Sequence, residues 1–488
     1  FARFRSRLST IIGALSRALA RQNIVWPWDI IVSRHLIDMN AQKVKANSNS
    51  KSLRIFALSP NRFMADLKIL AAQDGYEVIT LRVPWQGVVS SIFADRRGQK
   101  SNGILLAQRF EKPMQNFLRA FFIRNGVDIV LSACVWYKQD VVWGSMAQKI
   151  GVPYIVLHRE SLKTQPEHQK WVTETVRKFG DENGFLGQNL IFHNQPMCEL
   201  MTDIGFASTN QVVNGGCLRM DGFVNKVLAG RNSAGQSVAI DSVEEEKRPQ
   251  VTLFSFATGI GLNGLISVPF PMEGEIGWFR LFDVMHGTFA RLAHERPDVD
   301  FIIKPKWDSY WLDWINKAIK ADGLDPDAIE NLTITSTANP HDLILDSDVI
   351  CGFASTVLLE AGIAGKPVVI PDFEETLEPI YRERVQLRQY NDLFDIANSA
   401  EAFTDLIEQR LENQTIAKET LSQRDEAFTH WISNMKGNAV DQYTKTFDTA
   451  ADWGAVIASI AASRCQAQSP VINALPRAYT RRQNLGHR

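Results

Sequence analysis

Four positions in one stretch have the types and spacing to hold a phosphorylated sugar. Gly352 ends the apolar run Val349-Ile350-Cys351 and lets backbone approach a ligand closely. Ser355 and Thr356 set hydroxyls and N–H groups at the start of a helical segment, Val357 to Ala364, where the dipole favours an anion. Glu360 lies one turn after Thr356 on the same face, where its carboxylate can accept hydrogen bonds from a ribose diol. A plain βαβ crossover with Ser-Thr as a cap would account for the same residues. A second group, His158-Arg159-Glu160-Ser161, directly follows the apolar run Tyr154 to Leu157. Three ionisable groups there suit acid/base work: Glu160 or His158 to deprotonate a hydroxyl, Arg159 to bind an anion. The blander alternative is a surface ion pair beside a buried histidine.

Both groups sit just beyond β-rich apolar runs. Leu53–Ser59, Tyr76–Val83, Val127–Ser132, Val152–Leu157, Leu190–Phe192 and Gln211–Val213 read as strands, with helical segments at 104–124 and 143–150. Val251–Phe256, Val299–Lys304, Leu332–Ile334, Val349–Cys351 and Val368–Ile370 form a second series. Continuous apolar strands joined by helices predict an α/β fold with parallel sheets covered on both faces. The expected architecture is two Rossmann-like domains facing each other across a cleft. Ligands of such sheets lie beyond the carboxyl ends of the strands. That rule adds Asn61 and Arg62 after the first strand as acceptor or phosphate contacts, residues 134–137, and His193-Asn194. The Gly/Pro-rich loop 257–277, with acids Glu273 and Glu275, is long enough to fold over the cleft.

The stretch NPHDLILDSDVICGFASTVLLEAGIAGKPVVIP (339–371) resembles the donor half of GT-B glycosyltransferases. It is similar to bacterial surface-carbohydrate transferases of the capsule and lipopolysaccharide Kdo-transferase type and the CDP-glycerol transferase group. The resemblance implies that Gly352, Ser355 and Thr356 hold donor phosphates, that Glu360 holds the ribose, and that the Asn339-Pro340 turn contacts the base. Lys304-Pro305 matches a Lys-Pro pair of these families, which implies that Lys304 neutralises a donor phosphate; Lys306 stands where the CDP-glycerol group often has His. Gly216-Cys217-Leu218-Arg219-Met220-Asp221 resembles their interdomain Gly-x-x-Arg-x-Asp turn. Arg219 is then expected either to pair with Asp221 as a hinge brace or to face the donor phosphates.

Composition narrows the classes. The 488 residues exceed one ordinary core. A net charge of −1 gives no global nucleic-acid signature, so no nucleic-acid partner is expected. The five scattered cysteines form no CxxC pair, which argues against zinc or a disulfide scaffold and fits a reducing cytoplasm. No apolar run approaches the roughly 20 residues of a membrane span. The first residue is Phe1, as expected of a trimmed or processed chain. Residues 1–22 place Phe4, Leu8, Ile11, Leu15 and Leu19 at helical spacing among arginines and no acids, a pattern of membrane-surface helices that also suits packing on a protein. Asp-x-Asp pairs at 298–300, 325–327 and 346–348 lie before strands or in turns, and no bound metal or cofactor is expected.

The expected division is an amphipathic helix and linker (1–50), an acceptor domain (51–229), a polar linker (230–250), a nucleotide-sugar donor domain (251–400), helices packing back across both domains (401–465) and a basic tail (466–488). The expected activity is sugar transfer from a nucleotide-sugar to a hydroxyl of a surface polysaccharide or lipid-linked glycan. The expected place is the cytoplasm, peripheral on the inner membrane face. The same fold also serves a sugar-nucleotide 2-epimerase, or a non-catalytic nucleotide-sugar-binding scaffold. Neither the oligomeric state nor the donor sugar is legible in the residues.

Overall fold

The computed structural model describes residues 52–81, 108–180, 184–234, 248–272 and 274–452, with positions 18–19, 22, 24 and 37–38 ahead of them. The basic helix expected over 1–22, residues 235–247 of the polar linker, Glu273 and the basic tail lie outside the described residues, or almost wholly so.

The first sheet contains β1 (Ile37–Asp38), β2 (Leu53–Ala57), β3 (Tyr76–Leu81), β4 (Ile129–Ser132), β5 (Tyr154–His158), β6 (Asn189–Phe192) and β7 (Val212–Asn214), in the order β1-β3-β2-β4-β5-β6-β7. Only β1 runs antiparallel. The second sheet contains β8 (Gln250–Phe254), β9 (Asp300–Lys304), β10 (Leu332–Ile334), β11 (Val349–Gly352), β12 (Val368–Pro371) and β13 (Asp395–Ala397). It is parallel throughout, in the order β10-β9-β8-β11-β12-β13. These are the two doubly wound, Rossmann-like sheets the alternating pattern predicts. β4 (IVLS) and β11 (VICG) are buried at every residue, because central parallel strands are covered on both faces.

The helices of the first half are α1 (Met64–Ala71), α2 (Gln108–Asn125), α3 (Lys138–Lys149), α4 (Pro166–Val176), α5 (Gln195–Asp203) and α6 (Asp221–Ala234). Those of the second are α7 (Phe279–Glu295), α8 (Tyr310–Ala321), α9 (Pro340–Asp346), α10 (Val357–Ile363), α11 (Ala400–Glu412), α12 (Lys418–Trp431) and α13 (439–452). Helix α7 shows why such segments fold as they do. Leu281, Phe282, Met285, Phe289 and Leu292 recur at three- and four-residue spacing and are all buried against the second sheet. Helix α3 starts five residues ahead of the Trp143 start read from sequence. Its polar first turn looks like loop, but Asp140 is fully buried and accepts a hydrogen bond from Ser59 Oγ at 2.7 Å.

Helix α6 departs from the expected domain limits. Its Phe223, Val224 and Val227 join Ile344, Leu358 and Phe428 in a core of the second half. Helix α13 returns the other way, setting Tyr443, Phe447 and Ala450 among Ile55 and Leu131 of the first sheet and Leu67 of α1. The chain therefore crosses between the halves near 214–221, well before the polar linker. An apolar helix face decides which core a segment joins, and linker composition does not. The crossing is stitched by Tyr443 Oη donating to Gly216 O (2.7 Å), Cys217 N to Ser433 Oγ (3.0 Å), and Ala439 and Val440 N to Asp221 (2.8 and 2.9 Å).

Candidate active site at the interdomain cleft

Each sheet has a point where the strand order reverses: between β2 and β4 in the first, between β8 and β11 in the second. Ligands of doubly wound sheets bind there. At both exits the chain holds a non-glycine residue in the left-handed region, Ser59 after β2 (φ +47°) and Ala354 after β11 (φ +48°). Such conformations are uncommon and gather in ligand-binding loops.

The second-sheet exit carries the residues singled out for the donor. Ser355 and Thr356 are half-buried in the loop, and Ser355 Oγ accepts from Val357 N at 3.4 Å. Helix α10 is only seven residues long, so the loop itself and not a long macrodipole must supply most of any anion binding. Gly352 has a packing reason: a Cβ there would lie 3.2 Å from Leu358 and 3.6 Å from the Phe254 carbonyl oxygen, away from open space. Glu360 is 5% exposed, and its Oε2 lies 3.4 Å from His341 Nε2. Burial pushes its carboxyl up, but hydrogen bonds from His341 and Thr356, with the His341 and Arg219 charges, outweigh it and the net shift is downward. His341 is presented by the Asn339-Pro340 turn, where Asn339 Oδ1 caps His341 N (3.0 Å) and Pro340 opens α9. Its ring stacks on Phe223 at 4.4 Å.

Lys304 departs from its expected role. Its Nζ donates to the carbonyls of Pro305 (2.6 Å) and Ser336 (2.9 Å), tying the β9 exit to the β10 exit. Burial lowers its pKa. The side chain buttresses the loops rather than presenting a free ammonium.

On the first-sheet side Glu160 is exposed at the β5 exit and accepts a hydrogen bond from Tyr137 Oη at 3.3 Å. The Arg62 guanidinium lies over the Tyr137 ring at 5.4 Å, and Asn61 is exposed beside it. His158, the alternative base, is differently placed. Its ring is fully buried against Trp136 (4.6 Å) and Phe192 (5.2 Å), and neither ring nitrogen has a partner among the described residues. Burial, with the Lys163 charge, lowers its pKa to about 3, so it stays neutral and sealed from any substrate. Arg159 is not a free anion receptor either. Its Nε lies 2.9 Å from the buried Asp66 of α1, and its Nη1 donates to the Arg62 carbonyl. It fixes the Pro60–Arg62 turn to β5.

Arg219 sits at the crossing. It does not pair with Asp221, whose carboxylate caps α13. Its charge interacts first with the Cys217 thiol and then with Asp66 and Glu360, and its buried Nη1 has no hydrogen-bond partner among the described residues. Lys306, two residues beyond β9, lies in the field of Arg219, Arg159 and Glu160, and its pKa is lowered by the surrounding cleft walls and by those two arginines. His193 at the β6 exit is buried and held neutral, by burial first and then by Arg219 and Arg159.

Sequence reasoning missed His341, Asp66 and Lys163 as site residues. His341 follows the Asn339-Pro340 turn with no pattern of its own, and Asp66 is one acid in the first turn of α1. Lys163 is buried near Glu160, which opposes the burial-driven fall of its pKa, and its Nζ lies 5.5 Å over Trp171. The strand-exit rule reaches it only if extended a few residues past β5. Of the loop acids, Glu275 closes its own turn by accepting from Met272 N at 2.7 Å. A larger cavity, about 500 Å³, lies between Gln389–Leu393 and Gln423–His430, and none of the cleft residues named above lines it.

No family model and no curated protein matches the chain. Similar solved structures include the UDP-GlcNAc 2-epimerase of Neisseria meningitidis bound to UDP-GlcNAc, at 12% identity over 82% of this chain and 100% of that one, TM-score 0.46. A glycosyltransferase of Rickettsia africae is 12% identical over 82% of this chain and 99% of that one, TM-score 0.43. The wall teichoic acid polymerase TagF is 11% identical over 92% and 98%, TM-score 0.44. At such identities and TM-scores these likenesses do not decide which activity the chain has.

Proposed function

We propose that the chain transfers a glycosyl group from a nucleotide-sugar bound on the second domain to an acceptor hydroxyl presented to Glu160 of the first. The observation that carries this reading is Arg219 at the crossing: its Nη1 is buried with no hydrogen-bond partner among the described residues, and its charge interacts with Asp66 of the first domain and Glu360 of the second. A cation held at the join of two doubly wound sheets suits a diphosphate lying across the cleft. In this reading Glu360 accepts from the ribose hydroxyls, and the Asn339-Pro340 turn lies against the base. The Ser355-Thr356 loop and Arg219 hold the diphosphate.

Glu160 takes the proton of the acceptor hydroxyl. The resulting oxygen attacks the anomeric carbon, the bond from that carbon to the phosphate oxygen breaks, and the nucleoside diphosphate leaves with the electron pair. Arg219 and the loop N–H groups stabilise the leaving charge without requiring a metal. The acceptor we favour is a surface polysaccharide or lipid-linked glycan, with residues 1–22 bringing the enzyme to a membrane face. Among the described residues no helix is long and apolar enough to cross a membrane.

A sugar-nucleotide epimerase is the second reading. The gathering of Asp66, His193, Arg159 and Arg219 on the first-domain side favours it, since epimerisation needs acids and a histidine around the sugar. Incubating purified protein with UDP-, GDP- and CMP-sugars, with and without glycan acceptors, separates the readings. Donor consumed only with acceptor supports transfer. Epimerised donor in its absence supports the second reading, and binding without turnover marks a scaffold.

A further inference from the structure

A second cavity, about 360 Å³, opens where the two domains meet. One wall is Trp171 of α4, from the first domain. The opposite walls come from the second: the loop from Ala257 to Pro269, and Lys306, Trp307 and Trp311 beyond β9. The loop is held against α4 by His168 Nε2 and Gly261 O at 2.6 Å, while Arg384 joins the Asn263 carbonyl (3.1 Å) to Glu167 (3.3 Å). A Cβ on Gly264 would already touch Trp171 at 3.4 Å, so the loop backbone runs close along the indole. The volume is within the usual range for small-ligand sites, and the lining sets three tryptophans and one cation, Lys306, against a loop of small and aliphatic residues.

The cavity adjoins the proposed reaction centre. Lys306 lies in the field of Glu160, as does Lys163, whose Nζ is 5.5 Å over the face of Trp171. Flat indole faces suit the apolar face of a pyranose ring. Trp307, 45% exposed and 5.7 Å edge-on from Trp311, is the accessible one. Its ring also has the Lys306 ammonium within 5.3 Å. Lys306 is the one charged side chain in the lining, so a ring that carries a negative charge would find its partner there.

We propose that this cavity binds the acceptor through a pyranose ring bearing an anionic substituent, a carboxylate or phosphate, paired with Lys306 and stacked on Trp307. This rests on the glycosyl-transfer reading and narrows it to acidic acceptors. The test uses the full chain and three probes: methyl glucuronide, glucose 6-phosphate and neutral methyl glucoside, titrated by tryptophan fluorescence and ligand-observed NMR. The two acidic probes are expected to bind about fivefold tighter than the neutral one, the worth of one ion pair at a wet site. Lys306→Met should erase that preference and leave neutral binding intact. Trp307→Ala, at an exposed position that leaves the core untouched, should weaken all three probes about fivefold while nucleotide affinity is unchanged. Equal binding of acidic and neutral probes, or unaltered binding by Trp307→Ala, overturns the proposal. Nucleotide affinity, measured separately by calorimetry, reports on the transfer reading alone: acidic-probe binding without nucleotide binding would sink that reading and leave the cavity's specificity standing.

Discussion

Glu360 and His341 meet at 3.4 Å, one on α10 and the other at the first turn of α9, with His341 stacked on Phe223 of α6 just past the crossing. The contact turns a buried acid into a held carboxylate aimed at the crossing. Glu360→Gln keeps the shape and removes the charge. Nucleotide affinity measured by calorimetry is expected to fall about tenfold, the loss of one charge-assisted hydrogen bond. Unchanged affinity would remove the ribose assignment.

Arg219 and Asp221 lie two residues apart and do different work. Asp221→Ala removes the cap of α13 and should lower stability by about 1–2 kcal/mol in chemical denaturation, with nucleotide affinity kept. Arg219→Met should instead cut affinity for a nucleoside diphosphate about tenfold or more and leave that of the nucleoside alone. Equal losses for diphosphate and nucleoside would show that Arg219 does not read phosphate.

Lys304 is held by two carbonyls, so Lys304→Met should act on the fold. The expected result is a stability loss of about 1–3 kcal/mol with nucleotide affinity within about twofold of the parent. A selective loss of diphosphate binding would restore the phosphate role read from sequence.

Glu160 and His158 are two residues apart at the β5 exit, one exposed and one sealed. Glu160→Gln should lower turnover by about 10²–10⁴ while donor binding persists, the usual contribution of a general base. His158→Phe keeps an aromatic ring between Trp136 and Phe192 and should leave turnover largely intact. Loss of turnover in a folded His158→Phe protein would reverse the two assignments.

Four buried histidines, His158, His168, His193 and His286, set an acid limit on stability, each with its pKa lowered chiefly by burial. His158 has its pKa lowered to about 3 and His286 to about 4, in both cases chiefly by burial, from an ordinary 6.5. The folded form thus stays neutral where the unfolded chain takes up protons. Neither histidine costs stability above pH 6.5, and each favours unfolding progressively as pH falls below it toward the folded value. Each contributes about 1.4 kcal/mol per pH unit within that window. Denaturation at pH 7, 6 and 5 should show the decline, and His158→Phe should make it shallower. A pH-independent midpoint over that range would contradict the burial of these rings.

The sequence by itself determined the sheets and their exits. Val349-Ile350-Cys351 and Ile129-Val130-Leu131 could only be strands covered on both faces, and the residues just past such strands were known in advance to line a cleft. That is why Ser355, Thr356, Glu360 and Glu160 were legible as candidate site residues. Tertiary structure alone decided what each neighbour of a strand does. Lys304 and Lys306 differ by one intervening proline, yet one is spent on backbone carbonyls and the other faces the cleft. His158 ends β5 and Glu160 lies two residues beyond it, yet one ring is packed between Trp136 and Phe192 while the other side chain is exposed. Asp66 and His341 had no distinguishing neighbours in the chain, because the groups that give them a role lie on other elements and come together only when two sheets close around the Asn214–Asp221 crossing. Periodicity reports which face of an element is buried; the identity of what lies opposite is set by packing between segments far apart in sequence, and no local pattern carries it.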